Sequence, residues 1–291
     1  LSNIKMNIAI VGATGNVGRR LIEVLEKKQF PIDKLFLIAS SKSVGKKINF
    51  KGKEYSINDL ESFDFSSVKI AFFAAGSVIA DKWAPIASQK TIVIDNSKFF
   101  RMDPDVPLIV PEVNSKDLKN YKKKNIIANA NCSVIPLVVA LKPLHDLYEI
   151  KRIVASTYQS VSGAGKEPMD ELLSQTKDFF DGKKLNSKFF TKQIAFNAIP
   201  HIDSFLEDGY TKEEQKMHDE VKKILDNKIK ITSTSVRIPV LVSHAVSVNV
   251  EFNKKYKLNE IRSVLNTSPG CKVLDEHKDG GYITPVEAEN K

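Results

Sequence analysis

The chain of 291 residues predicts an α/β protein in two parts. Residues 1–131 read as a Rossmann-type, doubly wound parallel sheet domain. Residues 132–291 read as an α+β catalytic and dimerisation domain with a mostly antiparallel sheet. Three observations carry this. Short apolar runs alternate with helical stretches up to Asp95, the pattern of a parallel sheet with helical crossovers. A glycine loop, Gly12-Ala13-Thr14-Gly15-Asn16-Val17-Gly18, stands between the first of these runs and the first helical stretch. After Cys132 the pattern changes to long runs rich in β-branched residues.

In chain order, Asn7–Val11 reads as a buried strand. Asn16–Lys28 reads as a helix with Val17, Leu21, Ile22 and Leu25 on one face. Leu35–Ala39, Val68–Ala75 and Thr91–Asp95 follow as strands, and Val78–Ser88 is the helix between the last two. Lys46–Ile57 alternates over short spans and predicts a β-hairpin insertion. Ile126–Ala128 is a short strand, and Val134–Leu144 is helical. Further on, Ile150–Tyr158, Lys230–Pro239 and Ala245–Phe252 predict long strands and Met169–Phe180 a helix. Thr211-Lys212-Glu213-Glu214 has the form of a capping box ahead of a helix running to about Asp226.

Composition excludes several classes of function. Lys and Arg number 44 against 35 Asp and Glu, a net charge of +9. The lysines are scattered, as at Lys27-Lys28, Lys122-Lys123-Lys124 and Lys183-Lys184, and no basic helix with interleaved aromatics stands out. A solvated surface and small anionic ligands account for the charge, so no nucleic-acid partner is expected. The longest unbroken apolar run, Ile70–Ala75, is far short of the ~18 residues a membrane span needs, and no membrane partner is expected. No secretory signal is visible. Two cysteines do not make a disulfide framework, and no zinc-type spacing occurs, so no metal is expected. A reducing, cytoplasmic setting is expected, which a nucleophilic thiol requires.

The glycine loop has the context of a dinucleotide fingerprint. Gly12 permits the tight turn, Gly15 lets the backbone approach a pyrophosphate, and Gly18 allows close helix–sheet packing. The next strand ends in Ala39-Ser40-Ser41-Lys42-Ser43, with no acidic residue to hold a ribose diol. Its hydroxyls and the Lys42 cation suit a 2′-phosphate, which favours NADP over NAD. An ordinary polar loop is the competing reading. Cys132, in Asn129-Ala130-Asn131-Cys132-Ser133, lies where an apolar strand ends and an apolar helix opens. There it faces unpaired backbone N–H groups and the positive end of a helix dipole. Both favour the thiolate, the nucleophilic form. A buried structural thiol is the usual alternative, and the polar neighbours Asn131 and Ser133 argue against it. Cys271 has no such setting and reads as inert. A thiolate acyl-transfer site needs a proton-handling group, but spacing alone does not choose among the five histidines. His244 starts a strand downstream of Arg237 and can face a pocket; a solvent-exposed turn histidine is the alternative. Ser162-Gly163-Ala164-Gly165-Lys166 is not a phosphate loop, because residue 167 is Glu and residue 160 is Ser. A nucleotide fold with a thiolate at a strand-to-helix turn points to hydride chemistry on an acyl-enzyme thioester.

Taken together, these residues resemble aspartate-β-semialdehyde dehydrogenase of the bacterial type, from Asn7 to about Glu287. The resemblance is carried by Val11 to Gly18, Ala39-Ser40 through Gly45-Lys46, Ile94 to Ser97 with Phe100-Arg101, Val110 to Asn114, and Asn131-Cys132-Ser133. Tyr158 to Gly165, Tyr210 to Glu214 and Arg237 to His244 complete it. The resemblance implies reductive dephosphorylation of L-aspartyl-4-phosphate to L-aspartate 4-semialdehyde by NADPH, through a cysteine thioester. That step belongs to lysine, threonine, methionine and diaminopimelate biosynthesis. It implies Cys132 as nucleophile, His244 as acid/base, Gln159 as the residue orienting the reacting group and Asn131 as an oxyanion donor. Arg237 matches the ligand of the substrate carboxylate, Glu213 that of the ammonium, and Lys216 and Arg101 those of the phosphate. The cofactor set is Gly12, Thr14, Gly15, Asn16, Val17, Ser40, Lys42, Ser43, Ala75, Gly76, Ser162 and Gly163. A homodimer built through the second domain is implied as well. N-acetylglutamyl-phosphate reductases typically carry Gly-Cys-Tyr at the nucleophile, and glyceraldehyde-3-phosphate dehydrogenases a Ser-Cys-Thr-Thr context; both fit worse than Asn131-Cys132-Ser133.

The family continues past Lys291 with a further strand and a long helix, so the resemblance reads the chain as truncated at its C-terminus. The natural start is read at Met6. A truncated, weakly active chain that retains only nucleotide or partner binding is the alternative function, and N-acetylglutamyl-phosphate reductase-like activity a further one.

Overall fold

Short β-branched runs in the first part of the chain become neighbouring strands of one sheet. The computed structural model describes residues 5–289, and these fall into two compact units. The first comprises the chain up to Ile109 together with Ser115–Ala130. Its strands are β1 (Met6–Val11), β2 (Ile32–Ala39), β3 (Lys47–Phe50), β4 (Lys53–Asp59), β5 (Ile70–Phe73), β6 (Ile92–Asp95), β7 (Leu108–Ile109) and β8 (Ile126–Asn129). They form an 8-stranded sheet in the order β3-β4-β2-β1-β5-β6-β8-β7. Every ladder is parallel except β3–β4. The helices α1 (Asn16–Lys27) and α2 (Ser77–Ser88) are the crossovers after β1 and β5. Helical crossovers return the chain in the same direction, which is why the sheet is parallel.

The core of this unit follows from the alternation. Ile8, Ile10, Leu37 and Ile57 from the sheet pack with Ile22 and Leu25 of α1. Each side chain so buried contributes roughly 1.5–3 kcal/mol. Two details differ from the reading by periodicity. The predicted hairpin insertion is the β3–β4 hairpin, but β4 also pairs parallel with β2 and extends the main sheet. Phe50 and Ile57 draw it in, since both join the core. Val17 does not share the buried face of α1 and is 49% exposed, at the first turn beside the glycine loop.

The second unit comprises Val110–Asn114 and the chain from Asn131 onward. Helix α3 (Pro111–Asn114) is a single turn, and α4 (Val134–Tyr148) is the long apolar helix after Cys132. A 3-stranded sheet follows, in the order β10-β9-β11, from β9 (Ile150–Gln159), β10 (Lys230–Arg237) and β11 (Ala245–Phe252). The β11–β9 ladder is antiparallel and the β10–β9 ladder parallel. Between β9 and β10 the chain passes through α5 (Lys166–Phe180) and α6 (Lys212–Ile224), and that long helical return allows the parallel pairing. Helices α7 (Leu258–Thr267) and α8 (Pro285–Ala288) close the described chain. Among the described residues no helix is long and apolar enough to cross a membrane.

The register of the second sheet positions the site. Arg237, the last residue of β10, pairs with Gln159, the last residue of β9. Ala245, the first residue of β11, pairs with Tyr158. One end of the sheet therefore collects Gln159, Arg237 and, immediately before β11, His244. Ser243 adopts the left-handed region at φ 74°, a conformation that costs a non-glycine residue of order 1 kcal/mol. It turns the chain into β11 with His244 at the sheet end.

Candidate active site

In the first unit the glycine loop joins β1 to α1. Gly12 has φ +87°, and a Cβ there would lie 2.6 Å from the Ala74 carbonyl oxygen. A Cβ on Gly18 would lie 2.2 Å from the Gly12 carbonyl. Backbone fills both places, so glycine is required by packing. Gly15 differs: a Cβ there would meet only the Gly12 oxygen, at 3.5 Å. Packing leaves that side of the loop open, as close approach of a pyrophosphate to backbone requires. Gly18→Ala is expected to cost about 1–3 kcal/mol by overpacking, read in chemical denaturation together with loss of dinucleotide affinity. A variant with parental stability and affinity would contradict this account of the loop.

Around the loop, β2 and β5 flank β1 on opposite sides. Strand order reverses there, which is where open α/β sheets bind ligands. Ser40, Lys42 and Ser43 follow the end of β2, with Ser40 and Lys42 exposed. Ala75 and Gly76 follow β5, and Gly76 has φ +82° with nothing within 4 Å of a notional Cβ. Thr14 accepts a hydrogen bond from Arg19 Nε through its carbonyl, and Asn16 and Val17 open α1. The first N–H groups of a helix have no partner inside it. An open glycine cradle, a helix start and an exposed hydroxyl-and-lysine loop fit a dinucleotide. Arg101 also belongs to this unit. It is buried, and its Nη2 donates to the Asn96 carbonyl at 3.3 Å. Asp95, fully buried at the end of β6, accepts from the Ser97 N–H and hydroxyl and so fixes the loop that carries Arg101.

The second unit holds the remaining residues except Ser162 and Gly163 in one connected cluster, and those two border it. Asn131 shapes the turn before α4. Its carbonyl accepts from the Val134 and Ile135 N–H groups, and its Oδ1 accepts from the Ser133 N–H at 2.8 Å. Asn131 thereby caps the helix start, and Cys132, which follows it, is exposed. Cys132 Sγ lies 3.2 Å from His244 Nε2. On the other side of the imidazole, Nδ1 faces the Ser160 N–H at 3.1 Å and the Ser160 Oγ at 3.0 Å. Since a backbone N–H only donates, Nδ1 accepts in this arrangement, and the neutral ring carries its proton on Nε2, towards the sulfur. Burial, then the charge of Arg237, pushes the His244 pKa down. The ring is therefore mostly neutral near pH 7.

Glu213 is the hub of the polar cluster. Its Oε1 accepts from Asn131 Nδ2 at 3.0 Å and from Gln159 Nε2 at 3.1 Å, and its Oε2 from Lys216 Nζ at 2.9 Å. Burial would raise its pKa. The Lys216 charge and the hydrogen bonds outweigh burial, and the carboxyl is held below its ordinary value. Lys216 is bridged on its other side by Asp203 at 2.9 Å. Arg237 is buried, its Nη1 donates to the Ser160 carbonyl at 2.7 Å, and it feels the charges of Glu213 and Cys132. A Cβ on Gly163 would lie 3.1 Å from Arg237 Nη1 and 3.4 Å from the His244 ring, so glycine here keeps space beside both. Cys271, in contrast, has its thiol pKa raised by burial and lies apart from these groups, against the Val139 carbonyl.

Three residues of this cluster escape the sequence reading. Glu220, almost fully buried, accepts the Asn131 N–H at 2.6 Å. Its signal is present, since Glu213, Met217, Glu220, Val221 and Ile224 recur along one helical face, where a buried carboxylate needs a partner. Asp203 and Ser160 lie in irregular segments, where periodicity carries no information. Among the described residues no group of three or more His, Cys, Asp and Glu side chains could hold a metal ion.

A glycine-loop nucleotide fold, followed along the chain by an exposed thiol 3.2 Å from a histidine, has the parts of a nucleotide-dependent oxidoreductase. Residues 7–121 match the semialdehyde dehydrogenase NAD-binding domain, and residues 141–291 the semialdehyde dehydrogenase dimerisation domain. The chain belongs to the aspartate-semialdehyde dehydrogenase family, being 51% identical over 288 residues to the aspartate-semialdehyde dehydrogenase of Aquifex aeolicus. That alignment covers 98% of this chain and 85% of the relative. The enzyme of Rickettsia bellii is 49% identical, over 97% of this chain and 84% of its own. Among solved structures, aspartate semialdehyde dehydrogenase II of Vibrio cholerae, complexed with ASA, superposes with a TM-score of 0.96 at 45% identity. It covers 99% of this chain and 86% of its own. The nucleotide of the first unit is accordingly a nicotinamide dinucleotide.

Proposed function

We propose that the chain reduces L-aspartyl-4-phosphate to L-aspartate 4-semialdehyde and phosphate, with NADPH as hydride donor. The observation that carries this is the exposed Cys132 sulfur 3.2 Å from His244 Nε2. The Cys132 thiolate attacks the acyl carbon, the carbon–oxygen bond to phosphate breaks, and phosphate leaves with the electron pair. The resulting thioester is the carbonyl to which the bound nicotinamide supplies a hydride. His244 holds a proton at the thiohemiacetal oxygen as the hydride arrives and takes it back as the carbonyl re-forms, while the carbon–sulfur bond breaks to release aldehyde and thiolate. Arg237 takes the substrate carboxylate, for which a guanidinium offers a bidentate fit. Glu213, kept ionised, takes the ammonium. Lys216 takes the phosphate. Asn131 and Gln159 hold Glu213 in place through their amides, and Asn131, which precedes Cys132 in the chain, steadies the oxyanion.

In this reading residues 1–131 bind nucleotide and 132–291 carry catalysis and the contacts of a homodimer, as the match to a dimerisation domain supports. The setting is cytoplasmic, where a catalytic thiol stays reduced. Ser40, Lys42 and Ser43 meet the 2′-phosphate. Lys42→Glu is expected to raise the KM for NADP(H) about tenfold, the loss of ~1.4 kcal/mol of charge pairing, with little change for NAD(H). Equal effects on the two cofactors would remove Lys42 from this role. The reaction itself is tested by phosphate-dependent reduction of NADP with aspartate semialdehyde. Turnover without phosphate, or equal turnover of N-acetylglutamate semialdehyde, would overturn the substrate assignment.

A further inference from the structure

Ser160 is fully buried between the two groups on which the chemistry depends. Its carbonyl accepts from Arg237 Nη1 at 2.7 Å, and its N–H and Oγ both face His244 Nδ1. Its Oγ also lies 3.0 Å from Ser162 Oγ. These contacts have a consequence for the proton inventory of His244. To take a proton on Nε2, a neutral imidazole must carry its own proton on Nδ1. The charged ring has protons on both nitrogens. Either state places an N–H where Nδ1 now faces the Ser160 N–H, donor against donor. Of the two groups hydrogen-bonded to Nδ1, only the hydroxyl can reverse direction.

We infer that the Ser160 hydroxyl is a positioning residue that lets His244 change proton state. With Nδ1 bare, the hydroxyl donates to it. With Nδ1 protonated, the Ser160 Oγ accepts and its own hydrogen turns to Ser162 Oγ. No net proton leaves the pair of serines. In aldehyde oxidation Nε2 takes the hydroxyl proton of the thiohemiacetal, Nδ1 already holding its own. In reduction the charged ring returns that proton from Nε2. The charged groups that bear on the ring are Arg237, which opposes the charged form, and Glu213 and the Cys132 sulfur, which favour it. The backbone of Ser243 also eases the charge, while burial resists it. The inference rests on the acid/base role of His244 proposed above.

The test is Ser160→Ala in the full-length, cofactor-loaded protein. It keeps the backbone N–H and carbonyl and removes only the reversible partner. The expected result is a fall in kcat of about 10- to 100-fold, the lower part of the range for general acid–base catalysis, with KM for the semialdehyde changed less than about twofold. In protein labelled with 13C at histidine Cε1, the His244 titration midpoint, assigned with His244→Asn, is expected to fall by about half a unit or more. The alkaline limb of the kcat profile for reduction moves down with it. A folded Ser160→Ala protein with parental kcat and an unmoved midpoint would overturn the inference. Should that variant not fold, Ser162→Ala is read in the same way, with a smaller shift in the same direction expected and no shift decisive against. Failure of the parent to turn over semialdehyde would instead count against the proposed reaction, and the NMR midpoint would still judge Ser160.

Discussion

Cys132→Ala is expected to lower kcat by at least about 10⁴-fold, the scale seen when a covalent nucleophile is removed. Stability should change by no more than about 0.5 kcal/mol, because the side chain is exposed. The two expectations must hold together. A change confined to activity identifies a chemical role, whereas a joint loss would identify a structural one. The same geometry predicts selective alkylation. Cys132 is exposed beside the Nε2 proton and near Arg237, and both favour an ionised sulfur. The Cys271 thiol has its pKa raised by burial. Substoichiometric iodoacetamide should therefore label Cys132 first, as read by peptide mass spectrometry, with activity lost in proportion. Preferential labelling of Cys271, or retained turnover in Cys132→Ala, would place the chemistry elsewhere.

Local chemistry made much of this legible in the sequence. The glycine loop announces its turn because Gly12 and Gly18 face backbone where no Cβ fits. The capping box at Thr211 announces α6, and in the structure its hydroxyl and Glu214 make the reciprocal bonds. Cys132 announces itself by its place between strand and helix. The rest depends on pairing between distant segments, which periodicity does not encode. The alternation of β9 and β10 predicts strands but not their parallel register, and it is that register which sets Arg237 beside Gln159. Residue spacing does not single out His244 among the five histidines, whereas the pairing of β11 with β9 sets it at the sheet end beside Gln159 and Arg237. Ser160 and Asp203 act through hydrogen bonds formed from irregular backbone, so only the folded chain reveals them. Val17 fails the other way: the helix period assigns it to the core, but at the first turn of α1 it faces outward beside the loop.

Glu213 is expected to couple substrate recognition to stability in acid. Three donors converge on its carboxylate, from Asn131, Gln159 and Lys216, and their combined effect holds its folded pKa below the ordinary 4.5. A depressed carboxylate stabilises the folded state fully above its unfolded pKa, and the contribution is lost as pH falls through the folded value. Above about pH 5, Glu213→Ala should therefore cost about 3 kcal/mol, because it leaves a half-buried lysine with one partner, the buried Asn131 amide without its acceptor and the Gln159 amide with Thr157 Oγ1 alone. Glu213→Gln keeps an acceptor for the amides and loses the ion pair, so its cost should be smaller. The difference between parent and Glu213→Gln should then shrink as pH is lowered from 5 towards 3, where the parent carboxyl protonates. Urea denaturation at a series of pH values reads this directly, and a difference that stays constant across the range would mean that Glu213 is not the linked group. On the catalytic side both variants should raise the KM for the amino-acid substrate about 100-fold or more, the loss of ~3 kcal/mol from a buried charge-assisted contact. A normal KM in Glu213→Gln would show that the ammonium is held elsewhere, leaving Glu213 as an organiser of Asn131, Gln159 and Lys216 alone.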